Sequence, residues 1–199
     1  MKKYINPLFK SKSRSYMGNA SEAVKHPNSK CVLTNYLKNQ GREIGHGCER
    51  VAFTLPSQPN YVFKVLRKKN EQQNTERSFL ADIPEDLAHL IPEYEYYGRV
   101  VKMGKVQVIE DFINTQCNNE IIDEQDCCLL LDNLEDATEW LREKGYIKTT
   151  QSEINNFLCW FDDNGGDSSD FWTNMENVGF NADKELQFID LGWSAKISN

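Results

Sequence analysis

Apolar and polar residues alternate along much of the chain between residues 43 and 113, which is the pattern of strands with one buried face. The segments that carry the alternation are EIGHG, RVAFTL, YVFKVL, YEYYGRVV and VQVIEDFI. A Pro-Ser-Gln-Pro-Asn sequence separates RVAFTL from YVFKVL and predicts a turn between two strands. This part of the chain is therefore predicted to form an antiparallel sheet.

One helical segment interrupts these strands at residues 70–83. Phe79, Leu80 and Ile83 recur there at helical spacing, which predicts an inward apolar face. Glu76 lies one turn before Leu80 and shares that face, so its carboxylate is expected to point towards the sheet.

After residue 114 the pattern becomes helical. CCLLLDNLEDATEWLREKGY is followed by Thr150, whose spacing to Glu153 predicts a capping box at the start of SEINNFLCWF. The last segments, NVGF and LQFIDLGW, flank a NADKE turn and predict a short hairpin. The pattern as a whole indicates an α+β fold. One apolar stripe of the SEINNFLCWF helix predicts core residues: Ile154, Phe157, Leu158 and Phe161.

Charge is unevenly distributed along the 199 residues. The formal net charge is −7, yet residues 1–30 hold seven basic residues and one acidic residue, which leaves 16 basic and 29 acidic residues in the remainder. This acidic remainder argues against a nucleic-acid groove, which needs clustered Lys and Arg. Residues 1–40 are interpreted as a basic N-terminal arm, either a solvated tail or a docking element for a partner, an anionic surface or secretion machinery.

No apolar run is long enough to span a membrane, and no secretory signal is recognisable, so we expect a cytoplasmic protein, including the cytoplasm of a host cell.

Cysteine usage agrees with a reducing compartment. No two of the cysteines have CxxC spacing, and two of them are adjacent within an apolar run, so we predict reduced, mostly buried thiols. The three histidines form no recognisable zinc pattern with them. The cysteines are Cys31, Cys48, Cys117, Cys127, Cys128 and Cys159.

Candidate chemistry begins at the Gly45-x-Gly47 turn between two predicted strands. Backbone N–H groups at such a bend, with no Cβ to block approach, suit phosphate oxygens. Lys64 lies in the next strand and is either an edge lysine or a cleft lysine. A cleft lysine needs an acidic partner, and Glu76 follows it by 12 residues.

At the end of the chain, Asn177 and Asp190 stand at the two ends of a hairpin and can present oxygens to one hard cation, or else cap local turns.

Taken together, these motifs resemble those of the protein-kinase superfamily over residues 43–193. IGHGCERVAF is similar to the Gly-rich loop, VFKV to the lysine strand, NEQQNTERSFL to the glutamate helix and VIEDF to the hinge. NVGFNADKELQFIDLG resembles the segment from the catalytic-loop asparagine to the metal-binding D-F-G. The resemblance implies a minimal bilobal fold, with an antiparallel N-lobe over residues 41–113 and a truncated, mainly helical C-lobe over residues 114–199.

The same resemblance implies a role for each candidate residue and predicts ATP and Mg²⁺ as cofactors. Lys64 would hold the α- and β-phosphates, with Gly45 and Gly47 beside them. Glu76 would fix Lys64, while Asn177 and Asp190 would hold Mg²⁺. Ile109 would be the gatekeeper, with the backbone from Glu110 to Phe112 meeting adenine.

Two details resemble the short, divergent kinase-like proteins of bacteriophages and the minimal effector kinases of pathogenic bacteria. Arg50 stands where the third glycine of the loop is usual, and a Gln-Asn-x-Glu sequence follows the lysine strand at residues 73–76. We therefore expect the partner to be a protein of a host.

The catalytic loop departs from the family pattern. The base is expected five residues before the asparagine, where this chain has Trp172, and the nearest carboxylate is Asp170. A second register, in which DFWTN resembles the loop of small-molecule kinases, makes Asn174 the asparagine and also selects Asp170 as the base. The remaining interpretation is that Asp170 only caps a turn.

These features predict an atypical kinase that transfers the ATP γ-phosphate to a partner or host protein, on Ser or Thr rather than Tyr. Only nine residues follow Asp190, so we expect no activation segment. The alternative is a pseudokinase-like interaction protein that binds and blocks a host partner without catalysis. A small-molecule kinase with a cationic acceptor and a nucleotidyl transferase remain as further alternatives.

Overall fold

The computed structural model of the protein describes residues 29–46, 50–66, 80–189 and 191. The chain divides into two compact units. The first comprises Met1–Glu71 with Glu93–Lys105, and the second comprises Gln72–Pro92 with Val106–Asn199. The mixed α+β composition predicted from the sequence is confirmed.

An antiparallel five-stranded sheet in the order β1-β2-β3-β5-β4 forms the first unit. The alternation that predicted the strands is the reason for their two-faced burial, because successive side chains point to opposite faces. Its strands are β1 (Arg42–His46), β2 (Arg50–Leu55), β3 (Gln58–Leu66), β4 (Tyr94–Tyr97) and β5 (Val100–Gly104).

Helix α1 (Ser29–Gln40) packs against one face of this sheet. Leu33 and Leu37, one helical turn apart, are at most 1% exposed and share a core cluster with Phe53 and Phe63. The last twelve residues of the predicted basic arm, 29–40, form this helix with its buried apolar stripe.

The described part of the second unit contains five complete helices, the end of another at residues 80–82, and a small antiparallel sheet in the order β6-β7-β8. Short 3₁₀ turns lie at Ala88–Leu90 and Met175–Asn177. The predicted C-terminal hairpin is confirmed as β7 and β8. The helices are α2 (Ile109–Asn118), α3 (Glu124–Asp132), α4 (Leu134–Glu143), α5 (Gln151–Asp163) and α6 (Ser169–Thr173), and the strands are β6 (Gln107–Val108), β7 (Val178–Phe180) and β8 (Leu186–Phe188).

Helix α5 supplies the centre of this unit's core. Its predicted capping box is confirmed, since Thr150 Oγ1 accepts from Glu153 N and the Glu153 carboxylate accepts from Thr150 N. All four predicted stripe residues are buried. Phe157 stacks on Phe188 of β8 with a ring separation of 4.2 Å, so the helix and the hairpin share one aromatic interior.

The segment VQVIEDFI is not the single strand that its alternation predicted. Only Gln107 and Val108 are extended, and α2 begins at Ile109. Ile109 and Ile113 lie one helical turn apart and are both fully buried, so tertiary packing selects the helical pattern over the alternating one. The extended backbone predicted for Glu110 to Phe112 is therefore wrong.

The long helical segment CCLLLDNLEDATEWLREKGY forms two helices rather than one continuous element. Asn133 ends α3 and its side chain accepts from Glu135 N, which caps the start of α4. The physical reason is that an Asn side chain competes for backbone N–H groups and so favours helix starts.

The prediction of reduced cysteines is wrong at Cys117 and Cys127, and the prediction of burial is wrong at Cys128 and Cys159. Cys117 at the end of α2 and Cys127 in α3 form a disulfide, while Cys128 and Cys159 are exposed thiols. The bond forms because the two helices pack against each other and bring the two sulfur atoms together, which the spacing of ten residues does not reveal.

The unit boundaries also differ from the predicted lobes. The chain passes from the first unit to the second at Lys105–Val106, rather than after residue 113. Of the predicted helix at residues 70–83, the structure describes only Leu80 to Asp82 as helical and ends the helix there. Within the described ranges, no helix combines the length and apolar character needed to cross a bilayer.

Candidate functional site

Lys64 lies on the face of the sheet that faces away from α1. In the strand register it is opposite Ala52 on one side and Val101 on the other, whereas Phe63 and Val65 point to the α1 face. Its side chain is half-buried. This orientation is the one that a lysine needs in order to meet a ligand rather than the helix-covered core.

Gly45 belongs to the same cross-strand row as Lys64. Gly45 pairs with Ala52, which in turn pairs with Lys64, so the glycine and the lysine share a face about 10 Å apart, two strand spacings. Among the described residues, a Cβ built at Gly45 would meet no atom within 4 Å. The row therefore combines an open backbone position, a small side chain and a cation.

Two further predicted site residues lie outside the described residues. They are Gly47, the second glycine of the predicted loop, and Glu76, the predicted partner of Lys64.

A second lysine of the sheet, Lys102, received no role from the sequence. It is opposite Phe63 and therefore lies on the α1 face, where it is 5% exposed. Its Nζ lies 3.1 Å from Glu95 Oε1 and 3.8 Å from the centre of the Tyr61 ring. Because a carboxylate and an aromatic face both contact its charge, Lys102 is a structural lysine of the sheet.

Asp170 lies on the short helix α6, directly before a residue that anchors this helix in the core. Phe171 is fully buried and contacts Phe161 and Phe188, with ring separations of 5.3 and 5.0 Å. Since neighbouring residues on a helix point in different directions, the burial of Phe171 fixes the half-buried Asp170 towards the surface.

The loop before α6 is held by its own polar side chains. Asp162 accepts from both N and Oγ of Ser168, at 2.9 and 2.7 Å. Gly165 has a φ of +88°, and a Cβ at Gly166 would lie 2.4 Å from the Phe161 ring. The DDNGGDSSD segment has a Gly- and Asp-rich composition typical of linkers, yet its hydrogen bonds close it into a turn that leads to Asp170.

Asn177 and Asp170 contact each other directly. Asn177 Nδ2 donates to Asp170 Oδ2 at 3.0 Å, and the asparagine side chain is only 8% exposed. Asn174, the asparagine of the second register, instead accepts from Glu176 N and caps the Met175–Asn177 turn. Trp172, at the usual register of the base, is half-buried on α6. The side-chain geometry thus pairs Asp170 with Asn177.

The β7–β8 hairpin brings Ile189, the residue before the predicted metal ligand Asp190, to the Met175–Asn177 turn. Ile189 N donates to Asn177 O at 2.8 Å, beyond the regular pairs of β7 with β8. Asp190 itself lies outside the described residues. Gly179 permits the close approach of β6, because a Cβ there would lie 2.7 Å from the Val106 side chain.

Acidic side chains surround the start of α2, which packs against the Met175–Asn177 turn. Burial, together with the negative charges of Glu176 and Asp111, raises the pKa of the Glu110 carboxyl above its usual range. Phe112 contacts the rings of Tyr146 and Phe180 at 4.8 and 5.3 Å. Glu110 and Phe112 thus lie on a helix. The adenine-binding role predicted for the backbone of Glu110 to Phe112 needs an extended backbone, which is not present there.

The sequence thus selected Asp170, Asn177, Gly45 and Lys64 as candidates, but it did not predict the Asp170–Asn177 hydrogen bond, the disulfide, the role of Lys102 or the acidic cluster at α2. No protein-family model matches the chain, and the curated proteins contain no significant match to it.

Proposed function

We propose that this protein is an atypical minimal kinase that transfers the γ-phosphate of ATP to a Ser or Thr hydroxyl of a partner or host protein. The observation that carries the proposal is the 3.0 Å hydrogen bond from Asn177 Nδ2 to Asp170 Oδ2. It brings together a carboxylate that can accept a proton and an amide whose oxygen can bind a hard cation.

Asp170 would act as the general base. The acceptor hydroxyl gives its proton to the carboxylate while its oxygen bonds to the γ-phosphorus, and the bond to the bridging β–γ oxygen breaks to release ADP. The amide of Asn177 orients the carboxylate, and the burial of Phe171 holds α6 in position. In this proposal, α6 and the following 3₁₀ turn would accommodate the two additional residues between the base and the asparagine.

Mg²⁺ would be held by Asn177 Oδ1 and, as the resemblance implies, by Asp190. The described donor, Asn177 Oδ1, suits a hard cation, because Asn177 uses Nδ2 for Asp170 and its oxygen is the remaining polar atom of the amide. When bound, the ion would neutralise charge on the transferring phosphates. Lys64 would contact the α- and β-phosphates, with the open backbone at Gly45 on the same face.

Titration calorimetry with MgATP, combined with an assay of ADP formation and autophosphorylation, tests the proposal on the full chain. Asp170→Asn should keep MgATP affinity and lower turnover by about 10²–10⁴-fold, because it removes the proton acceptor but preserves the shape of the side chain. Asn177→Ala should lower both affinity for MgATP and turnover.

Asp163→Asn is the matched control, since it removes an exposed carboxylate from the end of α5 and should leave both quantities unchanged. A wild-type chain that neither binds MgATP nor forms ADP would reject the kinase proposal. Equal turnover in wild type and Asp170→Asn would reject Asp170 as the base while leaving nucleotide binding intact.

The alternative is an interaction protein that binds and blocks a partner without catalysis. One observation favours it: Leu129 and Ile121, in and before α3, are 55% and 62% exposed. Apolar side chains with this exposure offer a contact surface whether or not phosphate is transferred.

A further inference from the structure

Helix α3 carries more apolar residues than one buried face can accommodate. Residues 127–131 read Cys-Cys-Leu-Leu-Leu, and five consecutive residues at about 100° per residue point in every direction around a helix. Cys127 and Leu130 face inward at 8% and 7% exposure, while Leu129 is 55% exposed. The helix therefore has a second apolar face that the described part of the protein leaves uncovered.

This second face forms a shallow depression of about 620 Å³. Cys128 and Leu129 supply its apolar floor, and Asp123, Glu124 and Gln125 complete the lining. Ile121, which is 62% exposed, belongs to the loop that leads into α3. We name Ile121 together with these five lining residues the α3 face.

The α3 face is held in place by its attachments. The Cys117–Cys127 disulfide joins the end of α2 to α3 and closes the loop that contains Ile121. Asp123 caps the helix by accepting from Asp126 N at 2.8 Å. A surface fixed in this way loses little conformational freedom when a ligand binds, which favours affinity.

The segment of the chain that contains the α3 face carries charge of a single sign. Residues 106–141 contain ten Asp or Glu residues and no Lys, Arg or His. A second copy docked through the same face would place like charges opposite each other, and an anionic membrane or nucleic acid would be repelled. A cationic segment with apolar side chains matches both the charge and the exposed leucine.

We infer that the α3 face is a docking surface for a cationic, amphipathic segment of a partner protein. The segment would place apolar side chains over Leu129 and Ile121, and Lys or Arg side chains among the surrounding carboxylates. This inference goes beyond the kinase proposal and does not depend on it, because none of its residues belongs to the Asp170–Asn177 site.

Fluorescence anisotropy with a labelled peptide tests the inference on the full, oxidised chain. The probe is a 14-residue peptide of Lys and Leu at helical spacing, compared with a Glu-Leu peptide of the same pattern and a Lys-Gly peptide of the same charge. We expect only the Lys-Leu peptide to bind well, because it alone supplies both charge and apolar area. Ile121→Ser/Leu129→Ser should weaken its binding about tenfold or more.

Ile44→Ser is the matched control, because Ile44 is 50% exposed on the other unit and should change binding less than about twofold. Absence of Lys-Leu binding, equal binding of the Lys-Gly peptide, or an equal loss in Ile44→Ser would overturn the inference. A peptide of residues 1–28 that binds more tightly than the probe would assign the face to the chain's own basic segment. A dimer that Leu129→Ser abolishes would assign it to a second copy.

Discussion

Two parts of the helical unit depart from the usual distribution of side chains in opposite directions. At the turn before β7, the polar side chain of Asn177 is 8% exposed, whereas on α3 the apolar side chain of Leu129 is 55% exposed. Asn177 is stabilised by a hydrogen bond to Asp170, whose neighbour Phe171 is inserted among packed rings. The second region is held by a disulfide between two helices.

The difference shows that a candidate site can be recognised either by a buried polar side chain or by an exposed apolar side chain. A buried amide is costly unless it is hydrogen-bonded, so Asn177 is tied to one partner and one geometry. An exposed leucine costs the isolated protein little, so Leu129 is free to serve a contact outside the chain. We therefore expect substitutions near Asn177 to affect folding strongly and substitutions on the α3 face to affect it weakly.

The largest expected effect comes from removing the ring beneath Asp170. Phe171→Ala should lower the free energy of unfolding by about 3–5 kcal/mol, because it creates a cavity among Phe157, Phe161 and Phe188. Leu129→Ala should change it by no more than about 0.5 kcal/mol. Urea denaturation measures both values, and similar losses in the two variants would remove the contrast between the regions.

The next effect concerns the covalent link of the α2–α3 corner. Cys117→Ser should lower the free energy of unfolding by about 2–3 kcal/mol, because the unfolded chain regains the freedom of a loop of about ten residues. Cys128→Ser, at an exposed free thiol, is the control and should be nearly neutral. Denaturation of the oxidised proteins tests this, and a Cys117→Ser protein as stable as wild type would mean that the bond does not support the corner.

The smallest effect concerns the start of α5, the helix that underlies the Asn177 region. Thr150→Ala should cost about 1 kcal/mol by removing the cap, whereas Thr115→Ala, on the exposed side of α2, should be neutral or slightly stabilising. Thermal denaturation of the two variants at neutral pH measures the difference. Equal stability of the two would show that the capping box contributes nothing.

The same cap predicts a pH dependence. Hydrogen bonds from the Thr150 side chain and backbone lower the pKa of the Glu153 carboxyl, and His89, 3.4 Å away, adds to this. A lowered folded-state pKa stabilises the protein above the unfolded-state value of about 4.3, and this stabilisation is lost as the pH falls below it. Between about pH 5 and 3, Thr150→Ala should therefore lose less stability than wild type, and parallel curves would contradict the assignment.

The local features were predictable from the sequence because their signals are local. β1, β2, β3, the C-terminal hairpin and the capping box follow from alternation, turn residues and a Thr-x-x-Glu spacing within a few residues of one another. The start of α2 was not predictable in this way. Val106 and Val108 alternate as in a strand, while Ile109 and Ile113 repeat as in a helix, and only burial in the tertiary structure decides between them.

The candidate site was predictable only in part. Asp170 was selected as the available carboxylate, but its contact with Asn177 depends on a turn that Ile189 stabilises from the far side of the hairpin. The disulfide, like this contact, depends on how two elements pack, and neither residue spacing nor composition carries that information.

The closed turn between Asp162 and Ser168 also limits how this protein can vary over evolutionary time. Its hydrogen bonds and the contact of Gly166 with the Phe161 ring set the number of residues between α5 and Asp170. Inserting or deleting one residue there would rotate α6 and separate Asp170 from Asn177. This segment has the composition of a linker, but its length is constrained. We expect it to tolerate substitution of exposed side chains, such as those of Asp163 and Asn164, and not to tolerate insertions or deletions.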